Sequence, residues 1–268
     1  MTVAAIQMTS GTGVEGNLGT ARRLLAQAAE AGARVAVLPE NFAIMAKRDA
    51  ERQAATEAHG DGPIQSMLAA AAREHGMWVV GGTIPLEVPG ETRVAAAMLV
   101  YDAAGREVAR YDKIHLFDVD VPGRSESHRE SSGMCPGSEV VTVDTPVGRL
   151  GLAVCYDMRF PELFRRMSAA GATWFAVPAA FTVPTGRAHW EVLLRARAVE
   201  NLCGVVAAAQ SGFHPNGRET YGDSLVIDHW GRVLARLPRG EGVVVASFDR
   251  AAQDETRLVF PALSHRVM

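Results

Sequence analysis

The sequence predicts an α/β fold in which two similar half-sheets pack against each other, each covered on its outer face by two helices. Short, wholly apolar runs alternate with amphipathic helical stretches, the pattern of strands buried on both faces. The chain also repeats itself: residues 32–42 read GARVAVLPENF and residues 171–181 read GATWFAVPAAF, with Gly, Ala, Pro and Phe in register. A second pair, DAAGREVAR at 102–110 and DHWGRVLAR at 228–236, shares an Asp-x-x-Gly-Arg turn.

The apolar runs 3–8, 35–38, 78–82, 150–156, 174–177 and 204–210 predict strands. Helices are expected over 17–31, 64–74, 161–170 and 189–201. The first carries Leu18, Leu24, Leu25 and Ala28 on its apolar side, with Asn17 as its N-cap. Pro63 leads into the second and Pro161 opens the third. Hairpins are expected over 97–111 and 224–237, turning at 103–105 and 229–231. The order strand, helix, strand, helix, strand, hairpin thus occurs twice, before about residue 113 and after about residue 148. The joining segment, 114–148, is rich in Gly, Pro, Ser and His, and a loop of that length inside a compact domain is usually functional. Nothing divides the chain, so residues 1–268 form one domain.

Composition narrows the function classes. The 268 residues suffice for one large core, and 48% hydrophobic with 21% charged residues is ordinary for a globular protein. A net charge of −3 gives no electrostatic reason to expect nucleic acid or an anionic membrane. The start MTVAAIQMTS has no signal-peptide pattern, and no run approaches the ~20 apolar residues of a membrane span. Three cysteines, at 135, 155 and 203, make no CxxC pair, which suits free thiols in a reducing cytoplasm. The eight histidines show no metal-ligand spacing, and the sequence reads as having neither a GxGxxG nor a GxxxxGK loop after a strand, so neither metal nor nucleotide cofactor is expected.

Three positions carry chemistry. The first copy of the repeat ends in Pro39-Glu40-Asn41, whereas the second has Pro178-Ala179-Ala180. A carboxylate directly after buried aliphatics must be solvated by its site or have a raised pKa, and suits a general base; it also suits a loop cap. Cys155 ends Leu150-Gly-Leu-Ala-Val-Cys and precedes a helix, the strand–turn–helix geometry that lifts a nucleophile above a sheet. A cysteine in a strand is otherwise a small core hydrophobe, the reading that fits Cys203, while Cys135 reads as a loop residue. Lys113 follows the first hairpin, and held inside a site its ammonium would stabilise both a thiolate and an oxyanion. Spacing alone does not promote it.

These blocks resemble a known family. Leu-Pro-Glu40, Tyr-Asp-Lys113-Ile-His-Leu-Phe-Asp and Gly-Leu-Ala-Val-Cys155-Tyr-Asp-Met-Arg-Phe-Pro-Glu-Leu are similar to the three signatures of the nitrilase (carbon–nitrogen hydrolase) superfamily. The similarity continues through 188–200 and 205–210 and ends near 261–266. The resemblance implies a four-layer α-β-β-α sandwich with internal pseudo-two-fold symmetry. It implies Glu40 as general base, Lys113 on the oxyanion side and Cys155 as nucleophile. A second glutamate is implied in a Glu-Ser-x-x-x-x-Pro-Gly loop, which Glu130 fits, with Glu126 its rival. Tyr156, through its backbone N–H, and Phe181 are expected at the substrate. His189 and Arg129, with Arg124 and Arg187, lie in segments that could line an anion pocket.

Within the superfamily the chain looks like the Nit branch. The resemblance therefore implies a cysteine amidase acting on a small carboxylate-bearing amide, deaminated glutathione first, releasing 2-oxoglutarate and Cys-Gly. The alternatives are an ω-amidase acting on 2-oxoglutaramate, which shares the Val-Pro-Gly run at 121–123, another carbon–nitrogen hydrolase such as one cleaving an N-carbamoyl amide, or a non-catalytic partner-binding relative. Family resemblance also implies a homodimer built on the helices 161–170 and 189–201.

Overall fold

The computed structural model describes residues 1–120 and 127–267. Its first half runs β1 (Thr2–Gln7), α1 (Val14–Glu30), β2 (Val35–Val37), α2 (Asp49–Ala54), α3 (Pro63–His75), β3 (Trp78–Val80), β4 (Ile84–Glu87), β5 (Val94–Tyr101) and β6 (Glu107–Asp112). A connecting stretch holds β7 (Asp118–Asp120), β8 (Ser127–Arg129), a 3-10 turn at Glu130–Ser132, β9 (Met134–Cys135) and β10 (Thr142–Thr145). The second half runs β11 (Gly148–Leu152), a 3-10 turn at Cys155–Arg159, α4 (Pro161–Ala169), β12 (Trp174–Ala176), α5 (Val183–Asn201), β13 (Gly204–Ala207), β14 (Ser211–Phe213), β15 (Glu219–Tyr221), β16 (Ser224–Ile227), β17 (Val233–Leu237), β18 (Gly242–Ser247) and α6 (Arg250–Val259).

Two large sheets result, beside the two-stranded pairs β7–β8 and β14–β15, and the topologies of the large sheets match. In one, β1, β2 and β3 are parallel and β5 and β6 follow antiparallel; in the other, β11, β12 and β13 are parallel and β16 and β17 follow antiparallel. The side chains sort by alternation along each strand. Val3, Ala5, Val35, Val37 and Val100 face Leu150, Trp174 and Val226 of the other sheet, while Ala4, Ile6, Ala36, Val79 and Leu99 pack on Leu24 and Leu25 of α1 and Met67 and Leu68 of α3. Phe164 of α4 and Leu194 of α5 cover the second sheet. The four layers are therefore α-β-β-α, as the sequence implied.

The repeat is real at the level of hydrogen bonds. Asp102 Oδ1 accepts from the N–H groups of Ala104 and Arg106, and Asp228 Oδ1 accepts from those of Trp230 and Arg232. Both hairpins carry a bulge at the corresponding step, between Val100 and Tyr101 and between Val226 and Ile227. An aspartate that takes two turn amides fixes where the chain reverses, and the register follows.

Several local expectations change. Asn17 is not the cap of α1, which begins at Val14 with Gly13 before it. Its buried amide instead bonds the N–H and C=O of Gly11 and the C=O of Ala43. Helix α5 starts at Val183, six residues before the expected 189, because Pro184 pre-sets the helical φ of its first turn. The strand expected over 150–156 stops at Leu152. The joining segment holds short strands rather than one long loop, and β4, β18 and α6 were not anticipated.

Gly82 supports the exit of β2 from behind. Its φ is +53°, and a Cβ there would collide with the carbonyl of Pro39, the residue before Glu40. Gly82→Ala adds left-handed strain to that overlap, a destabilisation of about 2–3 kcal/mol. Thermal unfolding of the variant should fall by roughly 5 °C or more, with a loss of turnover that the nearby Gly90→Ala, in open space at a similar φ, does not show.

Candidate active site

Each of the three chemical residues leaves a strand at the same end of the sandwich. Glu40 follows β2, with Asn41 at φ +57° and its N–H donated to Thr83 Oγ1, so the backbone turns sharply just past the carboxylate. Cys155 follows β11 at φ +47°, its N–H donated to the Pro178 carbonyl. A non-glycine residue held left-handed costs of order 1–3 kcal/mol and persists where surrounding contacts over-determine it. Lys113 follows β6; its N–H bonds Ala96 O and its C=O accepts the Gly137 N–H.

Their side chains converge. The Lys113 ammonium lies 2.8 Å from Glu40 Oε1 and 2.9 and 2.8 Å from the two oxygens of Glu130. It is 1% exposed, Glu40 5% and Glu130 15%. Glu40 Oε2 accepts the Ala180 N–H at 2.8 Å, and Glu130 Oε2 accepts the Phe117 N–H at 2.7 Å. Removing an ammonium from water costs several kcal/mol. Burial alone would lower the Lys113 pKa, but the charges of Glu130 and Glu40 outweigh it and hold it well above the usual lysine value. Cys155 sits beside this cluster at 8% exposure. Burial pushes its thiol well above the ordinary cysteine range, the Glu40 carboxylate pushes it further, and Lys113 opposes both.

A buried network ties the lysine's segment to the cysteine's turn. Asp157, fully buried, accepts hydrogen bonds from Tyr111 OH (2.7 Å), the His115 N–H (3.0 Å) and the Val154 N–H (2.8 Å), and its Oδ1 is 2.7 Å from His115 Nδ1. The residues two before and two after Lys113 are thus anchored on the residue two after Cys155. Nothing in the sequence distinguished Asp157 beyond its place in a motif.

A cavity of about 370 Å³ opens over the cluster, a size that suits a small-molecule ligand. Glu40, Lys113, Glu130, Cys155, Tyr156, Phe181 and Arg129 all line it. Arg129 is already committed, with Nη2 2.8 Å from Asp120 Oδ1. His189 lies outside: it is exposed on α5, where Trp190 turns inward, and its Nδ1 is 3.2 Å from Arg159 Nη2. Arg187 also lies on the outer side of α5, away from this cavity. Glu126 and Arg124, with the run 121–123, fall outside the described residues. Arg218, which sequence reading passed over, lines the cavity too.

Among the described residues, no group of three His, Cys, Asp or Glu side chains could hold a metal ion, and no helix is long and apolar enough to cross a membrane. The run GTGVEG at 11–16 does have the GxGxxG spacing of a dinucleotide loop between β1 and α1, a match the expectation of no nucleotide cofactor overlooked. Its first amide is taken within the chain, by Asn17 Oδ1, and the run does not line the cavity.

Comparison with known proteins agrees with the geometry. The pattern of the carbon–nitrogen hydrolase family matches residues 2–258. The chain is similar to a Yersinia enterocolitica protein named deaminated glutathione amidase, 40% identical over 266 residues that cover 98% of this chain and 92% of that one. A Homo sapiens protein of the same name is 41% identical over 267 residues, covering 98% and 81%. Among solved structures, the C. elegans NitFhit protein matches with a TM-score of 0.92 and 38% identity over 99% of this chain, which spans 65% of that longer protein.

A thiol kept protonated by burial and a neighbouring carboxylate makes a direct prediction. The rate of Cys155 alkylation by iodoacetamide should keep rising beyond about pH 9, because only the thiolate reacts. A plateau in the neutral range would reveal a preformed thiolate and contradict the electrostatics described above.

Proposed function

This chain belongs to the carbon–nitrogen hydrolase family, and we propose that its cavity hydrolyses deaminated glutathione to 2-oxoglutarate and Cys-Gly through a thioester on Cys155. The observation that carries the chemistry is the Lys113 ammonium shared between Glu40 and Glu130, with the protonated Cys155 thiol beside it. The substrate reading rests on the relatives bearing that name at about 40% identity over nearly the whole chain.

The charge balance dictates the order of events. Glu40, Lys113 and Glu130 together carry one net negative charge when ionised. Losing the Cys155 proton to solvent would add a second negative charge in a buried site, whereas passing it to Glu40 leaves the total unchanged. Glu40 therefore accepts the thiol proton as sulfur attacks the amide carbon. The carbonyl electrons move onto oxygen, where Lys113 and the Tyr156 N–H receive them; each such donor contributes roughly 3–4 kcal/mol in comparable sites. Protonated Glu40 then gives its proton to the leaving nitrogen, the C–N bond breaks, and Cys-Gly departs. Glu40 next takes a proton from water as the water attacks the thioester; the acid leaves and the thiol regains its proton. Glu130 acts through Lys113, holding it by both oxygens, and so positions the oxyanion donor.

The same family suggests a homodimer. The outer face of α5 exposes Val192 and Val199, and a second copy covering them would remove apolar surface from water. Light scattering should give twice the 28.6 kDa of one chain; a monomer at micromolar concentration would contradict it. The three free cysteines suit the reducing cytoplasm in which we place the protein.

Cys155→Ala should abolish turnover while leaving the circular dichroism spectrum and melting temperature close to wild type. Glu40→Gln should lower kcat by about 10²–10⁴, the usual range for a lost general base. Steady-state assays on deaminated glutathione and 2-oxoglutaramate under identical conditions should give the higher kcat/KM for the former. Residual amidase activity in Cys155→Ala would overturn the mechanism, and a preference for 2-oxoglutaramate would overturn the substrate.

A further inference from the structure

We infer that Arg218 is the specificity residue for the leaving half of the substrate, binding a carboxylate carried by the departing amine. This inference rests on the substrate reading above and extends it to a named contact.

Arg218 stands on the turn between β14 and β15, which the His214 N–H closes onto the Arg218 carbonyl at 2.8 Å. From there its half-buried side chain reaches into the catalytic cavity and into a smaller cavity beside it, both of which it lines. The guanidinium is poorly satisfied. Nη2 is 3.4 Å from Ala180 O, Nη1 lies 3.8 Å from Met45 Sδ, and Nε is buried with no hydrogen-bond partner. Among the described residues no carboxylate pairs with it. The other two arginines of the cavity wall do have such partners: Arg52 bonds Asp49 Oδ1 at 2.6 Å, and Arg129 bonds Asp120. A buried donor without a partner is costly, and a guanidinium is built to take a carboxylate in two parallel bonds.

Its location says which end of the substrate it meets. Ala180, whose carbonyl Arg218 contacts, gives its N–H to Glu40 Oε2. Met45, the other contact, belongs to the loop that follows Glu40, and Asn216 of the Arg218 turn donates to Ala46 O in that same loop. Arg218 is therefore on the Glu40 side of the thiol, where the proton is handed to the leaving nitrogen, rather than beside Glu130 and Phe117. Lys47 stands at the exposed rim of the same wall and adds positive charge. An amide whose leaving amine ends in a carboxylate, such as a short peptide, can reach across to this arginine. One that releases ammonia cannot.

The test compares two leaving groups and one neutralised substrate. Arg218→Met should lower the ratio of kcat/KM for deaminated glutathione over 2-oxoglutaramate at least about tenfold, mainly through KM, as loss of a charge-assisted bond implies. Converting the terminal carboxylate of deaminated glutathione to a carboxamide should cost the wild type a similar factor and cost Arg218→Met little further. The carboxamide comparison uses wild-type protein, so it decides the matter even if the variant folds poorly. Equal loss on both substrates, or a carboxamide cleaved as well as its parent, overturns the role of Arg218 while leaving the substrate intact. A wild type that cleaves 2-oxoglutaramate but not deaminated glutathione overturns the substrate reading and this inference with it.

Discussion

A buried ammonium between two carboxylates is the constraint on which the rest of this site depends. Lys113 is 1% exposed, and the attraction of both Glu40 and Glu130 offsets the desolvation of its ammonium. Each partner in turn is held by a backbone amide, Ala180 for Glu40 and Phe117 for Glu130. The lysine's own backbone is pinned at both ends, by Ala96 and by Gly137, whose Cβ position is occupied by the Asp112 backbone. Asp157 then fixes the cysteine's turn to Tyr111 and His115 on either side of Lys113. Thiol, ammonium and carboxylates are positioned by one continuous set of bonds rather than by three independent loops.

That set lies across the seam between the two halves of the repeat. Glu40 ends β2 of the first half, yet its Oε2 is satisfied by Ala180 in the second, and its carbonyl accepts from Gln210 Nε2, 170 residues away. Cys155 ends β11 of the second half and lies on the sheet that packs against the first. The repeat supplies two equivalent sheets with strand exits at one end, and the chemistry comes from where the copies differ. Where the first copy has Pro39-Glu40 the second has Pro178-Ala179, so the repeat contributes this carboxylate from one half only.

Much of the frame was legible because it depends on periodicity and turn chemistry, both local. The paired GARVAVLPENF and GATWFAVPAAF segments and the two Asp-x-x-Gly turns predicted matching sheets and hairpins, and the hydrogen bonds match turn for turn. Glu40 and Cys155 stood out because a strand exit is a marked place in a sequence. Lys113 did not, since its importance lies in partners 73 and 17 residues distant, and only resemblance to a family singled it out. His189 shows the opposite error. It sits within a motif, but Gly186, Trp190, Leu194, Arg197 and Asn201 form the buried stripe of α5, and one position off that 3.6-residue period faces outward. Arg218 was invisible because a turn has no period, and an arginine in one is usually solvated.

The resting proton inventory bears on why the thiol is not preformed as a thiolate. An amide differs from an ester in its leaving group: an amine anion is too basic to depart, so a proton must reach nitrogen as the bond breaks. A site that lost its thiol proton to solvent before substrate arrived would have none to hand to that nitrogen. Here burial and Glu40 keep it on sulfur, and Glu40 is hydrogen-bonded where it can receive it and pass it on. In the proposed mechanism Lys113 keeps its proton, because Glu130 and the developing oxyanion remain beside the ammonium while Glu40 is protonated. The single mobile proton of the proposed mechanism is thus available at the one step where C–N cleavage requires it, and the fixed positive charge remains for the oxyanion.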